Sequence, residues 1–203
     1  MPMRSKPTLA QQEEHLFKVL GSERFLKMEG LGNEVAHFIY DYDPTWALDV
    51  AQAKRRIKTK LDTELGIKVL EINLYDLCVD LLKERNVWDR VLAAEPTMDK
   101  PDFLKMLQNM LDPQMHLAPA IKERIAAESF QILFLTGIGE VFPFVRSHTA
   151  LNNLQTVVSD KPMLMFFPGR YEVSATQGSA LVLFGQLKDD SFYRAKRILD
   201  QEA

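Results

Sequence analysis

The stretch Phe130-Gln-Ile-Leu-Phe-Leu-Thr-Gly-Ile-Gly-Glu-Val-Phe-Pro-Phe-Val-Arg-Ser-His-Thr-Ala-Leu-Asn-Asn-Leu-Gln155 decides how the chain is read. Its first part, Phe130–Thr136, is a nearly unbroken apolar run, as a central parallel strand covered on both faces requires. Gly137 and Gly139 then give the backbone the freedom to leave the strand. An aromatic turn, Phe142-Pro-Phe144, leads into a segment with helical spacing and a polar face. In an open α/β sheet, ligands and partners bind where the carboxyl ends of the strands open onto a crevice. This elbow is therefore the first place to look for function.

Working outward, further strand and helix signals alternate on both sides. After a loose tail over residues 1–8, helical spacing runs from Leu9 to Met28, broken at Gly21-Ser22. His37–Tyr40 reads as a first strand ending in Asp41-Tyr-Asp-Pro44, with Asp43 or Thr45 able to cap a helix from Trp46 to Leu65 that stops at Gly66. Ile67–Leu74 reads as a second strand and Leu77–Ala94 as a helix. A Met-rich helical stretch follows from Pro96 to Ser129, punctuated by Pro113 and Pro119; its methionines suit adaptable packing. Lys161–Gly169 and Ala180–Gly185 give a fourth and fifth strand, and Asp189-Asp190 reads as the cap of a closing helix, Ser191–Leu199. The expected fold is one α/β domain over residues 1–203. It has a single, mainly parallel five-stranded sheet flanked by helices, in a P-loop-ATPase-like arrangement without Walker motifs, with a helical insert at about 96–129.

Composition narrows the function classes. The 203 residues include 46% apolar and 26% charged side chains, ordinary values for a globular chain, and the formal charge is −3. A protein that grips nucleic acid by itself usually carries a basic excess, so at most weak direct binding is expected. Cys78 is the single cysteine, which leaves no intrachain disulfide and no CxxC metal motif. The amino-terminal residues lack the apolar core of a secretory signal. No apolar run approaches the roughly 18 residues of a membrane span. A cytoplasmic location follows as the expectation.

The chemistry of the strand ends is incomplete for every familiar reaction. A P-loop needs glycines whose N–H groups approach phosphate, a lysine to reach it, and Ser or Thr for magnesium. After the first strand stands Asp41-Tyr-Asp-Pro-Thr-Trp46, with neither glycine nor lysine. A strand ending in Asp-x-Asp resembles the opening of the haloacid-dehalogenase phosphatases. Asp41 as nucleophile, Asp43 as acid and Thr136 as phosphate contact would then form a phosphohydrolase site; the plainer reading makes the two aspartates caps of the following helix. His148 and Asn152 stand four apart and share a helix face, but no nucleophile pairs with the histidine. His15, His37, His116 and His148 are too scattered for a metal site, and no cofactor is expected. Lys54, Arg55, Arg56, Lys58 and Lys60 form a basic helical segment, either a solvated face or a patch for an acidic partner or nucleic acid. Around the elbow, Glu140, Phe142, Phe144, Arg146, His148, Asn152 and Asn153 make a candidate protein interface, since large aromatic and arginine side chains anchor partners.

Taken together, several strings resemble the BrxB family of bacterial BREX phage-defence systems. They are Gly30-Leu-Gly-Asn-Glu-Val35 with Phe38-Ile-Tyr-Asp-Tyr-Asp-Pro44, then Val69-Leu-Glu-Ile-Asn-Leu-Tyr-Asp76, and Phe134 through His148. Leu151–Gln155, Pro162–Gly169, Leu183-Phe-Gly185 and Tyr193–Lys196 complete the set. BREX systems methylate host DNA and block phage replication with a methyltransferase, the alkaline-phosphatase-like PglZ, large ATPases and small accessory proteins. The resemblance implies an accessory protein with no assigned catalytic residues, docking on a PglZ-like protein and, directly or indirectly, on the methyltransferase.

Overall fold

The computed structural model describes residues 7–29, 36–146, 157–158, 160–174, 178–189 and 195–202. Helices α1 (Leu9–Leu20) and α2 (Glu23–Leu26) precede strand β1 (His37–Tyr42), and a 3-10 turn at Pro44–Trp46 leads into α3 (Ala47–Leu65). Strand β2 (Val69–Asn73) runs directly into α4 (Leu74–Glu84), followed by α5 (Trp88–Ala94) and α6 (Lys100–Met110). A π-helical turn at Pro113–Leu117 and α7 (Ala118–Ala127) lead to β3 (Ile132–Thr136). The chain closes with β4 (Met163–Ser174), β5 (Gly178–Leu183), β6 (Leu187–Asp189), β7 (Lys196–Arg197) and a 3-10 turn at Ile198–Asp200.

The parallel path runs β2-β3-β4-β1-β7. Helix α3 carries the chain from β1 to the far edge, and β3 and β4 then fill the gap. Successive side chains of a strand point to opposite faces, and here both faces are covered. Phe38, Tyr40, Phe134 and Phe166 pack under α1–α3, while Ile39, Leu133, Leu135, Met165 and Phe167 pack under α4–α7. This two-sided burial is why β3 reads as a continuous apolar run.

Local signals set the element ends. Thr8 and Gln11 form a capping box at α1, and Gly66 ends α3 in the left-handed region (φ 66°). Asn73 caps α4 by accepting from the amides of Tyr75 and Asp76 at 2.9 and 3.3 Å, so that helix begins three residues before the expected Leu77.

The mainly parallel sheet flanked by helices is as expected, but its carboxyl-terminal third differs. The fourth strand does not stop at Pro168-Gly169. It continues to Ser174, pairing with β1 and β3 in its first half and antiparallel with β5 in its second. The expected fifth strand is therefore antiparallel, and it pairs in turn with the short β6. The expected closing helix is also corrected: Lys196–Arg197 adds to β1 as a parallel strand, with Lys196 beside Phe38 and Arg197 beside Ile39. Residues 190–194, where the expected helix begins, lie outside the described residues. Tertiary pairing with an open sheet edge outweighs a weak local helix pattern. Of the methionines, Met106 and Met110 pack against the core, whereas Met98 and Met115 are exposed.

Candidate functional site at the carboxyl edge of the sheet

At the end of β1, the two aspartates are committed to the fold. Asp41 accepts a bidentate pair from Arg197, Nε to Oδ1 at 2.8 Å and Nη2 to Oδ2 at 2.7 Å, and its Oδ2 also accepts from the Tyr171 amide at 3.1 Å. Arg197 donates as well to the Tyr171 carbonyl at 2.7 Å, and the Tyr171 hydroxyl donates to the Ala195 carbonyl at 2.9 Å. Burial pulls the Arg197 guanidinium down, but its bonds to Asp41 outweigh this and hold its pKa above the ordinary arginine value. Asp43 accepts from the amide and hydroxyl of Thr45 at 2.9 and 2.7 Å, the helix-entry cap that its position suggested.

Thr136 lies on the other side of the sheet from Asp41. It shares the face of Phe134, under α1–α3, and its hydroxyl donates to Glu71 Oε1 at 3.4 Å. Asp41 follows the alternation of Ile39 on the face of α4–α7. Strand β4 also runs between β1 and β3. The phosphohydrolase grouping of Asp41, Asp43 and Thr136 is thus not assembled: one carboxylate is occupied by arginine, one caps a turn, and the threonine faces away.

The elbow after β3 is a packed turn. Gly137 takes φ 76°, and a Cβ there would lie 2.1 Å from Asn73 Oδ1. Ile138, Val141 and Val145 are buried in the core under α4–α7, with Phe144 packed against it. The Val141 amide donates to the Gly137 carbonyl and that of Val145 to Val141, at 3.3 and 2.9 Å. Glu140, Phe142 and Arg146 remain exposed, and the Phe142–Pro143 peptide is cis. Gln108 of α6 donates to the Pro143 carbonyl at 3.3 Å, tying the methionine-rich helices to the elbow. Burial and the nearby Glu140 carboxylate push the Tyr42 phenol up to about 12. His148, Asn152 and Asn153, the other expected interface residues, lie outside the described residues.

The antiparallel arm made by the second half of β4 with β5 and β6 stands against this elbow. A Cβ on Gly139 would meet the Phe184 ring and Pro168 at 3.0 Å, so the glycine admits the arm's turn. Between elbow and arm opens a groove of about 340 Å³, floored by Phe167, Leu181 and Leu183 and rimmed by Phe142, Arg146, Leu187 and Lys188. Leu48, Tyr75, Phe142, Val173, Phe184 and Leu187 are exposed large apolar residues. All belong to segments that leave the carboxyl ends of the strands or to the arm that extends them. The arm residues were not expected in a site, because the turn at Phe184–Gln186 and the short β6 leave almost no local pattern.

The basic segment on α3 is largely neutralised. Lys54 and Lys58 both pair with Glu71, the latter at 3.7 Å. Arg56 binds Glu13 in a bidentate fork at 2.8 and 2.7 Å. The Arg56 fork holds the Glu13 carboxyl below the usual carboxylate range. Lys60 sits over the Phe17 ring at 5.8 Å, and Arg55 is exposed. The five cations therefore do not form one open patch. Among the described residues no His, Cys, Asp or Glu cluster could hold a metal ion, and no helix is long and apolar enough to cross a membrane.

Fold and edge together define an α/β protein whose strand-end aspartates are bound by its own groups and whose elbow and arm expose Phe142, Phe184 and Leu187. A family model described as BREX protein BrxB matches residues 70–198. A BREX protein BrxB of Bacillus cereus (strain H3081.97) is 34% identical over 180 residues, 87% of this chain and 90% of that protein. Another, from Escherichia coli O9:H4 (strain HS), is 28% identical over 193 residues, 95% of this chain and 92% of that protein. The chain belongs to the BrxB family, the one its sequence strings resemble. No solved structure matches it.

Proposed function

We propose that the chain is a component of a bacterial BREX anti-phage system and acts there as a non-catalytic adaptor. It docks on a PglZ-like protein through the carboxyl edge of its sheet and helps to assemble the complex that contains the methyltransferase. The observation that carries this reading is the exposure of Phe142, Phe184 and Leu187 on the elbow and the arm beside it. Large exposed aromatic side chains beside an arginine are the kind that anchor partner proteins. The occupation of Asp41 by Arg197 and the neutralised α3 segment favour protein docking over phosphoester hydrolysis or nucleic-acid binding at that edge.

The test is purification of the tagged chain from cells carrying its native system. A PglZ-like protein is expected to co-elute at fixed stoichiometry, and the complex to be lost when Phe142 and Phe184 are both changed to Ser. If the separately purified proteins migrate independently in gel filtration at micromolar concentration, direct docking is wrong.

A further inference from the structure

The arm is held by a pair of side chains that stands where a neighbouring strand would. Strand β4 runs beside β1 as far as the Tyr42–Pro168 pair, and from Gly169 onward it pairs with β5 on one side. Among the described residues no strand lies along its other side. In a strand, the N–H and C=O of one residue point to the same side, and Tyr171 turns both of its groups away from β5. There its amide donates to Asp41 Oδ2 at 3.1 Å, and its carbonyl accepts from Arg197 Nη2 at 2.7 Å. The carboxylate and the guanidinium, themselves joined by a bidentate fork, thus complete the edge as the main chain of a strand would.

The pair also ties three parts of the chain together. Asp41 belongs to β1, Arg197 to β7 on the far side of β1, and Tyr171 to the rung Tyr171–Leu181–Asp189 that crosses the arm. Two positions along, the rung Gly169–Leu183–Leu187 carries Leu187, and Phe184 follows Leu183 in the turn. Resting on the docking role proposed above, we propose that Arg197 is a positioning residue. Through Asp41 and the Tyr171 main chain it fixes the arm against the central sheet, and so presents Phe184 and Leu187 to the partner. Lysine cannot take its place, because a single ammonium lacks the planar fork that spans two carboxylate oxygens while also reaching a carbonyl.

The test uses the full chain with spin labels on paired cysteines. The arm pair is Val173→Cys near the tip of the arm with Glu123→Cys on α7, and the body pair is Glu64→Cys on α3 with the same Glu123→Cys; all three sites are exposed. Cys78 is 2% exposed and escapes labelling in the folded chain. Pulsed dipolar spectroscopy is expected to give a narrow distance distribution for both pairs in the parent. Arg197→Lys and Asp41→Asn are each expected to broaden the arm distribution and to leave the body distribution unchanged, a split that lost stability alone does not produce. Tagged Arg197→Lys is expected to bind the PglZ-like protein about tenfold more weakly, because the arm must then be ordered on binding. An unchanged arm distribution in folded Arg197→Lys overturns the proposal, as does equal broadening of both pairs. Failure of both variants to fold, judged by thermal melting, overturns it too, since the pair would then be a tie of the whole core. A displaced arm with undiminished partner binding removes the presenting role. If the parent itself captures no PglZ-like protein, the adaptor role fails, and the arm distances still decide whether Arg197 positions the arm.

Discussion

Asp41 is the residue whose meaning changes most between sequence and structure. In the sequence it looks like a nucleophile at a strand end. In the fold it is the acceptor at the centre of a clamp, its side chain 9% exposed and gripped by Arg197, which arrives from the far end of the chain. Removing one partner of such a pair strands the other, and the half-exposed arginine softens the penalty. Asp41→Asn is expected to lower stability by about 1–3 kcal/mol in urea unfolding. Generic phosphate-ester turnover with magnesium or manganese is expected to be absent from both the parent and the variant. Activity that appears in the parent and disappears in Asp41→Asn would restore the hydrolase reading. His37 supplies a second expectation. It is wholly buried at the start of β1, with Nε2 3.2 Å from the Val158 carbonyl, and burial holds its pKa below the ordinary 6.5 despite that contact. The folded state thus takes up the proton only at lower pH than the unfolded chain. The neutral ring's contribution is complete above about 6.5 and is lost as pH falls from there through the folded value. The urea midpoint of His37→Gln should therefore change less between pH 7 and pH 5 than that of the parent.

Element by element, what could be read locally was readable. The Asp43 and Gly66 caps depend on neighbours within a few residues, and β1 and β3 announce themselves by composition. Strand β7 and the second half of β4 depend on partners more than a hundred residues away or on the hairpin they form, so no window of sequence contains their cause. Pro168-Gly169 reads as a stop. In the fold, Gly169 lets the strand bend past its neighbour, since a Cβ there would lie 2.1 Å from the Val182 carbonyl oxygen. The elbow's exposed aromatic was legible, but the arm that completes the groove was not. The junction of β2, α4 and the elbow offers a sharp element-scale test. At Gly137 a methyl group meets the Asn73 cap oxygen and the amides of Leu74 and Tyr75 while the backbone stays at φ 76°, whereas Gly66, at φ 66°, has open space. Gly137→Ala should cost about 2–4 kcal/mol, combining backbone strain with loss of the cap. Gly66→Ala should cost only the strain, about 1–2 kcal/mol. Equal losses in denaturant titrations would mean that the Asn73–Gly137 contact is not what closes this end of the sheet.

For the whole molecule, charge placement weighs against a nucleic-acid binder. The chain is acidic overall, and Lys54, Lys58 and Arg56 of α3 are paired with Glu71 and Glu13 on the protein itself. Binding to duplex DNA is expected to be no tighter than about 10⁻⁵ M at physiological salt, within the non-specific range. Lys54→Ala and Lys58→Ala together should leave it unchanged while lowering stability, because they abandon Glu71. Anisotropy on a labelled duplex across a salt series measures both; a steep salt slope abolished by those substitutions would show that the helix does meet DNA.

Strand β4 is shared between the central sheet and the arm, and this sets a timetable. Its first half pairs His37 with Met163 across more than a hundred residues, while its second half pairs with β5 in a local hairpin. Contacts so distant in sequence form late, after loop closure has been overcome. During synthesis, which proceeds from the amino terminus, α1–α3 and β1 emerge first, while the groove waits for the last portion of the polypeptide. Under the docking role proposed above, a partner would meet this edge complete only on a finished molecule, and chains cut short by stalled translation would be left out of the assembly without any separate act of inspection.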